Sequence, residues 1–425
     1  MTAIVLFSSF AVLTLLNVPI GVGLAGAALL AIVQMEMSID ILPNIFFAST
    51  STFVLLAIPF FILGGNIMEK AGISEKLIAF AQTFVGHIKG GLGIVCVTVA
   101  CFFAAISGSG PATVAALGGV IIPAMVKVGY NPATAAALMA TAGGIGVIIP
   151  PSISFVIYGS VTGISIGKLF MAGIIPGLVM GLALVLVTSL ITRKANLERL
   201  PKASMKERWR AFVDASWGIL MPVIILGGIY GGIFTPTEAA AVAAVYGLFV
   251  GVFIYRSIHL KQLYEILVAS VAQTAVVMFI VATANLFAWV ITIEGIASAA
   301  SDFLLNTAGG SSVIFLLLVN IILLIAGCVI DGTSALYIMS PIMMPVAVKL
   351  GYDPLVLGVV MVMNLAIGMV TPPVGINLYV ACGISGVKFK DIIKAVWPFV
   401  IASIGALALV TYIPILSQFL PNMMK

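Results

Sequence analysis

The sequence predicts an all-α polytopic membrane protein built from two inverted-topology repeats, each with five transmembrane helices and one re-entrant hairpin. Three observations carry this. With 62% hydrophobic and 8% charged residues and a mean hydropathy of +1.28, the chain has more apolar surface than a soluble core can hide. Pro123 to Pro132 reads PAMVKVGYNP, and 222 residues later Pro345 to Pro354 reads PVAVKLGYDP, six of ten identical; the same offset carries Gly110 onto Gly332, Gly146 onto Gly368, Pro150-Pro151 onto Pro372-Pro373 and Pro176 onto Pro398. Finally, each half holds an odd number of crossings, which makes the halves antiparallel.

Taken in order, the first half has spans near residues 2–17, 19–36 and 53–68, an interrupted apolar pair at 92–126, an interrupted span at 131–163 and a span at 170–190. The pair at 92–126 is the odd element. Arms of about 15 residues reach only ~22 Å, short of the ~30 Å hydrocarbon core, so they form a hairpin whose tip, Ser107-Gly108-Ser109-Gly110-Pro111, stops inside the membrane. The second half repeats the plan at 217–235, 237–255, 268–291, a hairpin at 313–348 with its tip at Asp331-Gly332-Thr333-Ser334, a broken span at 353–385, and 396–417. The domain plan is a first repeat at 1–192, a basic cytoplasmic connector at 193–214 and a second repeat at 215–425.

Charge supplies the orientation, because Lys and Arg favour the cytoplasmic side. With the connector (Arg193, Lys194, Arg199, Lys202, Lys206, Arg208, Arg210) inside, sixteen of the nineteen basic residues fall inside; only Lys168, Lys349 and Lys425 fall outside. Both termini are then periplasmic or extracellular, and the formal +5 charge is a topology signal rather than a nucleic-acid footprint. The four cysteines lie in apolar segments without a Cys-x-x-Cys pair, so a zinc site or disulfide framework is not expected. The first apolar stretch has no basic leader and runs straight into a second, which argues against a cleaved signal peptide.

The hairpin tips and proline breaks bring polar atoms to mid-membrane depth, where irregular backbone must line protein or a wet cavity. Pro150 and Pro151 lack N–H groups, which predicts that the carbonyls of Gly146 and Val147 lose their i+4 donors, as do those of Gly368 and Met369 before Pro372 and Pro373. Neutral oxygens of this kind bind hard cations in broken-helix transporters. Two sodium sites are expected: Ser107, Ser109, Gly146, Val147 and Pro150 in the first half; Asp331, Gly332, Gly368, Met369 and Thr371 in the second. Asp331 is the only ionisable residue between Asp302 and Lys349, and a carboxylate at that depth needs an ion, water or partner; the competing reading is that it caps the second hairpin arm.

These paired motifs, the Ile-Pro-Pro and Thr-Pro-Pro breaks and Phe234-Thr-Pro-Thr-Glu238 resemble, from end to end, the large membrane subunit of TRAP transporters, the tripartite ATP-independent periplasmic carriers, and the sialic-acid branch somewhat more than others. The resemblance implies an elevator: a scaffold (1–90 and 215–310) stays still while a transport domain (91–192 and 311–425) carries the cargo with at least two sodium ions. It implies a small four-helix membrane subunit, here on a separate chain, and a periplasmic binding protein delivering a small organic acid such as sialic acid or a C4-dicarboxylate. The candidate substrate-binding set is Ser107, Ser109, Gly110, Thr113, Asp331, Gly332, Thr333, Ser334 and Asn377. No arginine lies in either hairpin, so helix N-termini and hydroxyls would hold the carboxylate.

Other function classes fare worse. An intramembrane hydrolase would need a base near Ser109, and His87 and His259, the only histidines, map to the cytoplasmic edge. Gly163 to Lys168 has the wrong spacing for a phosphate loop. An ion-selective channel and a sodium-dependent carrier working without a binding protein are the remaining alternatives.

Overall fold

The structure is a computed structural model describing residues 1–193, 195 and 197–424. Lys194 and Lys425, counted in the charge segregation above, lie outside the described residues. The first half contains α1 (Thr2–Leu15), α2 (Ile20–Gln34), α3 (Ile41–Thr50), α4 (Ala57–Lys70), α5 (Ile73–Val85), α6 (Gly91–Ser107), α7 (Gly110–Lys127), α8 (Pro132–Gly144), α9 (Ile153–Thr162) and α10 (Ile166–Thr192). The second contains α11 (Met205–Tyr230), α12 (Pro236–Phe249), α13 (Leu260–Ile293), α14 (Ile296–Ala308), α15 (Ser312–Gly327), α16 (Gly332–Lys349), α17 (Pro354–Gly368), α18 (Ile376–Ser385), α19 (Phe389–Tyr412) and α20 (Ile415–Asn422). No strand is present among the described residues.

Seven helical stretches among the described residues are long and apolar enough to cross a membrane. Others are shorter than their sequence spans: α1 and α2, with 14 and 15 residues, reach only about 21–22 Å. Pro19, with no N–H, stands between them. Polar and mixed segments that the spans omitted are also helical. The short amphipathic helix α5 buries Ile73, Leu77, Ile78 and Ala81, and α14 buries Ala297, Ser301, Leu304 and Ala308, the i, i+4, i+7 spacing of a helix with one apolar face.

Element ends recur at an almost fixed distance. α16 begins and ends 222 residues after α7, α17 begins 222 after α8, and α18 begins and ends 223 after α9. Both Pro150-Pro151 and Pro372-Pro373 are cis. The halves exchange partners: α7 packs on α18 while α16 packs on α9, and α8 packs on α19 while α17 packs on α10. Tyr158 of α9 donates its hydroxyl to the carbonyl of Pro354 at the start of α17, 2.8 Å away, a further bond between halves.

α13 holds the remaining elements together. Its 34 residues give it a length of about 51 Å, and it packs on α2, α3 and α4 along one side and on α16 along another. The Phe234-to-Glu238 motif is a capping box at the head of α12: Glu238 accepts from the Thr235 N–H at 2.8 Å and its hydroxyl at 2.9 Å, while the Thr235 hydroxyl accepts the Glu238 N–H, satisfying donors a helix start would otherwise leave bare. On an exposed edge, Lys349 and Asp302 pair at 3.8 Å.

Candidate functional site at the hairpin tips

The first hairpin turns at Gly108, whose positive φ of 63° suits glycine. A Cβ there would lie 2.7 Å from the Pro151 carbonyl oxygen, and the Gly108 carbonyl accepts the Ile153 N–H at 3.4 Å. The tip therefore meets the break between α8 and α9. With a helix running away on either side of that break, the tip sits part-way along the bundle rather than at its end.

Three oxygens gather here. The Ser107 and Thr113 hydroxyls are 3.1 Å apart, and they lie 3.1 and 2.8 Å from the Ser109 carbonyl oxygen. Gly146 closes the cluster: a Cβ on it would fall 2.6 Å from Thr113 Oγ1 and 2.8 Å from the Ser109 carbonyl. The helix ends add direction. α6 and α8 stop at the cluster, bringing carbonyl-rich C-termini, whereas α7 and α9 start there with their N–H groups.

The carbonyls ahead of the proline pairs are mostly not bare. Three of the four carbonyls expected to be bare accept hydrogen bonds: Val147 from the Ser152 hydroxyl at 2.6 Å, Gly368 from the Thr371 N–H and Met369 from the Asn377 N–H, each at 3.0 Å. Ser152 and Asn377, beyond the two Pro-Pro pairs, supply two of these donors, and Thr371, in the turn just before Pro372, supplies the third. A carbonyl has two lone pairs, so each still has room for a second partner.

The second hairpin is built differently. Asp331 is the N-cap of α16, accepting the Ser334 N–H at 3.0 Å and also bonding the Ser334 hydroxyl. Gly332 faces Leu365 and Thr333 is half-buried. Gly368 packs on Gly327 at the end of α15, with a Cβ that would fall 2.5 Å from the Gly327 carbonyl carbon, instead of on the tip as Gly146 does. Thr371 turns its hydroxyl back to the Ile367 carbonyl at 2.7 Å. Asn377, from the second half, reaches the first hairpin. It is fully buried, donates to the Ala140 carbonyl at 3.1 Å and lies against Gly110 at the head of α7, so α7 and α18 start at one place. Its Oδ1 has no hydrogen-bond partner.

A cavity of about 460 Å³ opens beside the first tip, lined by Ser107 and Ser109 on one side and by Asn66, Glu69 and Gln273 on the other. Asn66 donates to Ser270 at 2.9 Å and to Gln273 at 3.1 Å. Sequence reading missed these because Glu69 precedes Lys70 at the end of an apolar run and reads as a membrane edge. It also missed a buried chain in which Asn364 donates to Asn320 at 2.8 Å and Asn320 to Thr411 at 3.2 Å. No group of three or more His, Cys, Asp or Glu converges among the described residues. The ligands on offer are neutral oxygens, which fit a hard monovalent cation rather than a transition metal.

The family described as "Tripartite ATP-independent periplasmic transporter, DctM component" matches residues 7–416. The chain belongs to this family. Similar DctM relatives include the C4-dicarboxylate TRAP transporter large permease protein DctM of Rhodobacter capsulatus, 42% identical over 100% of both chains. The sialic acid TRAP transporter large permease protein SiaM of Vibrio cholerae is 38% identical over 96% of this chain and 95% of its own. Among solved structures, the YdaH transporter of Alcanivorax borkumensis superposes with a TM-score of 0.64 at 15% identity, covering 87% of this chain and 86% of that one, a likeness of fold. DctM membership makes the chain the large permease subunit of a transporter and not an enzyme, a multi-pass protein of the bacterial inner membrane that works with a periplasmic binding protein and a small membrane subunit. The identities do not favour the sialic-acid branch that the motifs suggested.

Proposed function

We propose that this permease imports a small organic acid of the C4-dicarboxylate or sialic-acid class, coupled to at least two sodium ions, by an elevator movement of residues 91–192 and 311–425 against the scaffold. The observation that carries it is the first hairpin tip. The Ser107, Ser109 and Thr113 oxygens with Gly146 form a cation-sized cluster, and a few residues away the N-termini of α7 and α18 meet at Gly110 and Asn377. Converging N-termini favour a carboxylate beside a site that favours sodium, so each ion strengthens the binding of the other.

The 222-residue recurrence and the exchanged packing between halves support two inverted repeats, and the segregation of Lys and Arg supports periplasmic termini. The second ion would lie among Asp331, Gly332, Gly368, Met369 and Thr371. Two ions crossing about 100 mV release ~4.6 kcal/mol, and a tenfold sodium gradient adds about 1.4 kcal/mol per ion. After the anion's own charge is carried against that potential, about 5.1 kcal/mol remains for a monoanion and about 2.8 kcal/mol for a dianion, which still supports concentrative uptake without ATP. The small subunit is a separate chain in this reading.

The test is uptake of labelled succinate and N-acetylneuraminate into proteoliposomes containing the permease, its small subunit and the binding protein. Saturable uptake that disappears when sodium is replaced by choline, and without the binding protein, is the expected result. Sodium-independent flux would sink the coupling. Lysine labelling from each side should place Lys127 and Lys349 on opposite faces, and labelling on one face would remove the inverted topology.

A further inference from the structure

The cavity beside the first hairpin tip has a counterpart. A second cleft, of about 350 Å³, lies between α13, the α3 region and the α9–α16 pair. The two are the same construction written twice. Ile62, Gly65, Asn66 and Glu69 of α4 line the first; Asn285, Ala288, Trp289 and Thr292 of α13 line the second, each 223 residues later. Glycines in the left-handed region, Gly72 (φ 77°) and Gly295 (φ 68°), follow Glu69 and Thr292 by three residues and pin the correspondence. In the orientation proposed above, the first cleft faces the cytoplasm and the second faces outward. Both volumes fall in the ~300–1,000 Å³ range of small-molecule pockets.

Their chemistry differs at one position. The outward cleft offers only uncharged polar groups, among them Ser160, Asn285, Trp289, Thr292 and Tyr337. The inward cleft has a carboxylate, Glu69, where the other has the Thr292 hydroxyl. Glu69 forms no ion pair among the described residues, and it shares the cavity with Ser107 and Ser109 at the hairpin tip.

We propose that Glu69 is a specificity residue of the inward cleft that disfavours anion occupancy on the cytoplasmic side, so the cargo is received among neutral dipoles and released next to a like charge. The inference rests on the organic-anion reading above. A carboxylate substrate at the tip faces repulsion in the inward cleft that it does not meet in the outward one. Cytoplasmic substrate therefore rebinds weakly, and the carrier resists product inhibition as the anion accumulates.

The experiment uses the complete transporter in sodium-driven proteoliposomes, with binding protein outside so that only right-side-out molecules work. Vesicles are loaded with graded succinate, and the internal concentration that halves initial uptake is compared with the external KM. In Glu69→Gln the ratio of internal to external constants should fall about tenfold, the effect of ~1.4 kcal/mol of lost repulsion. Glu69→Asp should keep it within about twofold, and Thr292→Glu should raise the external KM about tenfold. A folded, transporting Glu69→Gln with the wild-type ratio overturns the proposal, as does a Thr292→Glu variant with wild-type external KM. A wild-type protein that takes up neither succinate nor N-acetylneuraminate removes the organic-anion reading, and this inference with it, an outcome distinct from uptake with an unmoved ratio.

Discussion

Gly110 and Asn377, in opposite halves of the chain, touch: a Cβ on Gly110 would stand 3.1 Å from both Nδ2 and Oδ1 of Asn377. Gly110 is the first residue of α7 and Asn377 the second of α18, so the contact joins two helix N-termini, and a methyl on Gly110 would press the amide back by a few tenths of an ångström. The unpartnered Asn377 Oδ1 is a buried acceptor with spare capacity, the kind of group a bound ion or water satisfies.

Gly110→Ala should therefore displace the Asn377 amide and reduce uptake more than stability. Overpacking of this sort costs about 1–3 kcal/mol, whereas Asn377→Ala removes the bond to Ala140 and costs about 1 kcal/mol. Thermal unfolding in detergent, run beside uptake assays, separates the two losses. Wild-type uptake in both variants would detach this contact from the transport path.

Thr113→Val keeps the shape of the side chain but removes the hydroxyl that bonds the Ser109 carbonyl. The sodium concentration for half-maximal uptake should rise about tenfold, equivalent to ~1.4 kcal/mol, with Thr113→Ser close to wild type. Uptake measured against sodium concentration decides it, and an unmoved midpoint would exclude Thr113 from the ion site.

Asp331 tests charge against capping. Asparagine caps a helix about as well as aspartate, and alanine loses about 1 kcal/mol. Asp331→Asn should hold its melting temperature yet lose sodium-coupled uptake, while Asp331→Ala loses both. Intact sodium dependence in the Asn variant would leave Asp331 only its cap on α16.

Gly368→Ala should be among the most damaging single methyl additions, because its Cβ would press into the Gly327 backbone, which has no side chain to swing aside. A loss of about 3 kcal/mol is expected. Gly119 is the control: nothing lies within 4 Å of its Cβ position, and alanine there gains up to about 1 kcal/mol of helix propensity. Melting curves of the two variants give the comparison directly.

Much of this was legible because glycine and proline punctuate the chain at matching places. The tips at Ser107–Pro111 and Asp331–Ser334 and the two Pro-Pro breaks sit at helix ends as expected. What escaped depended on partners far away in sequence. The pairing of Asn377 with the first hairpin, rather than with its own half, follows from α18 packing on α7, which no local pattern encodes. The rescue of the Val147 carbonyl by Ser152 depends on how the chain turns after the prolines. α5 and α14 were passed over because hydropathy windows find continuous apolar runs and miss helices with one wet face.

The length of α13 carries a last consequence. A rod of about 51 Å in a hydrocarbon slab of ~30 Å must lean or protrude, and exposed apolar residues such as Val268 and Val271 along it suit contact with acyl chains. Since both clefts are partly walled by α13, the angle at which it leans tips their walls together. A change in that angle would therefore reach the inner and outer openings at the same time.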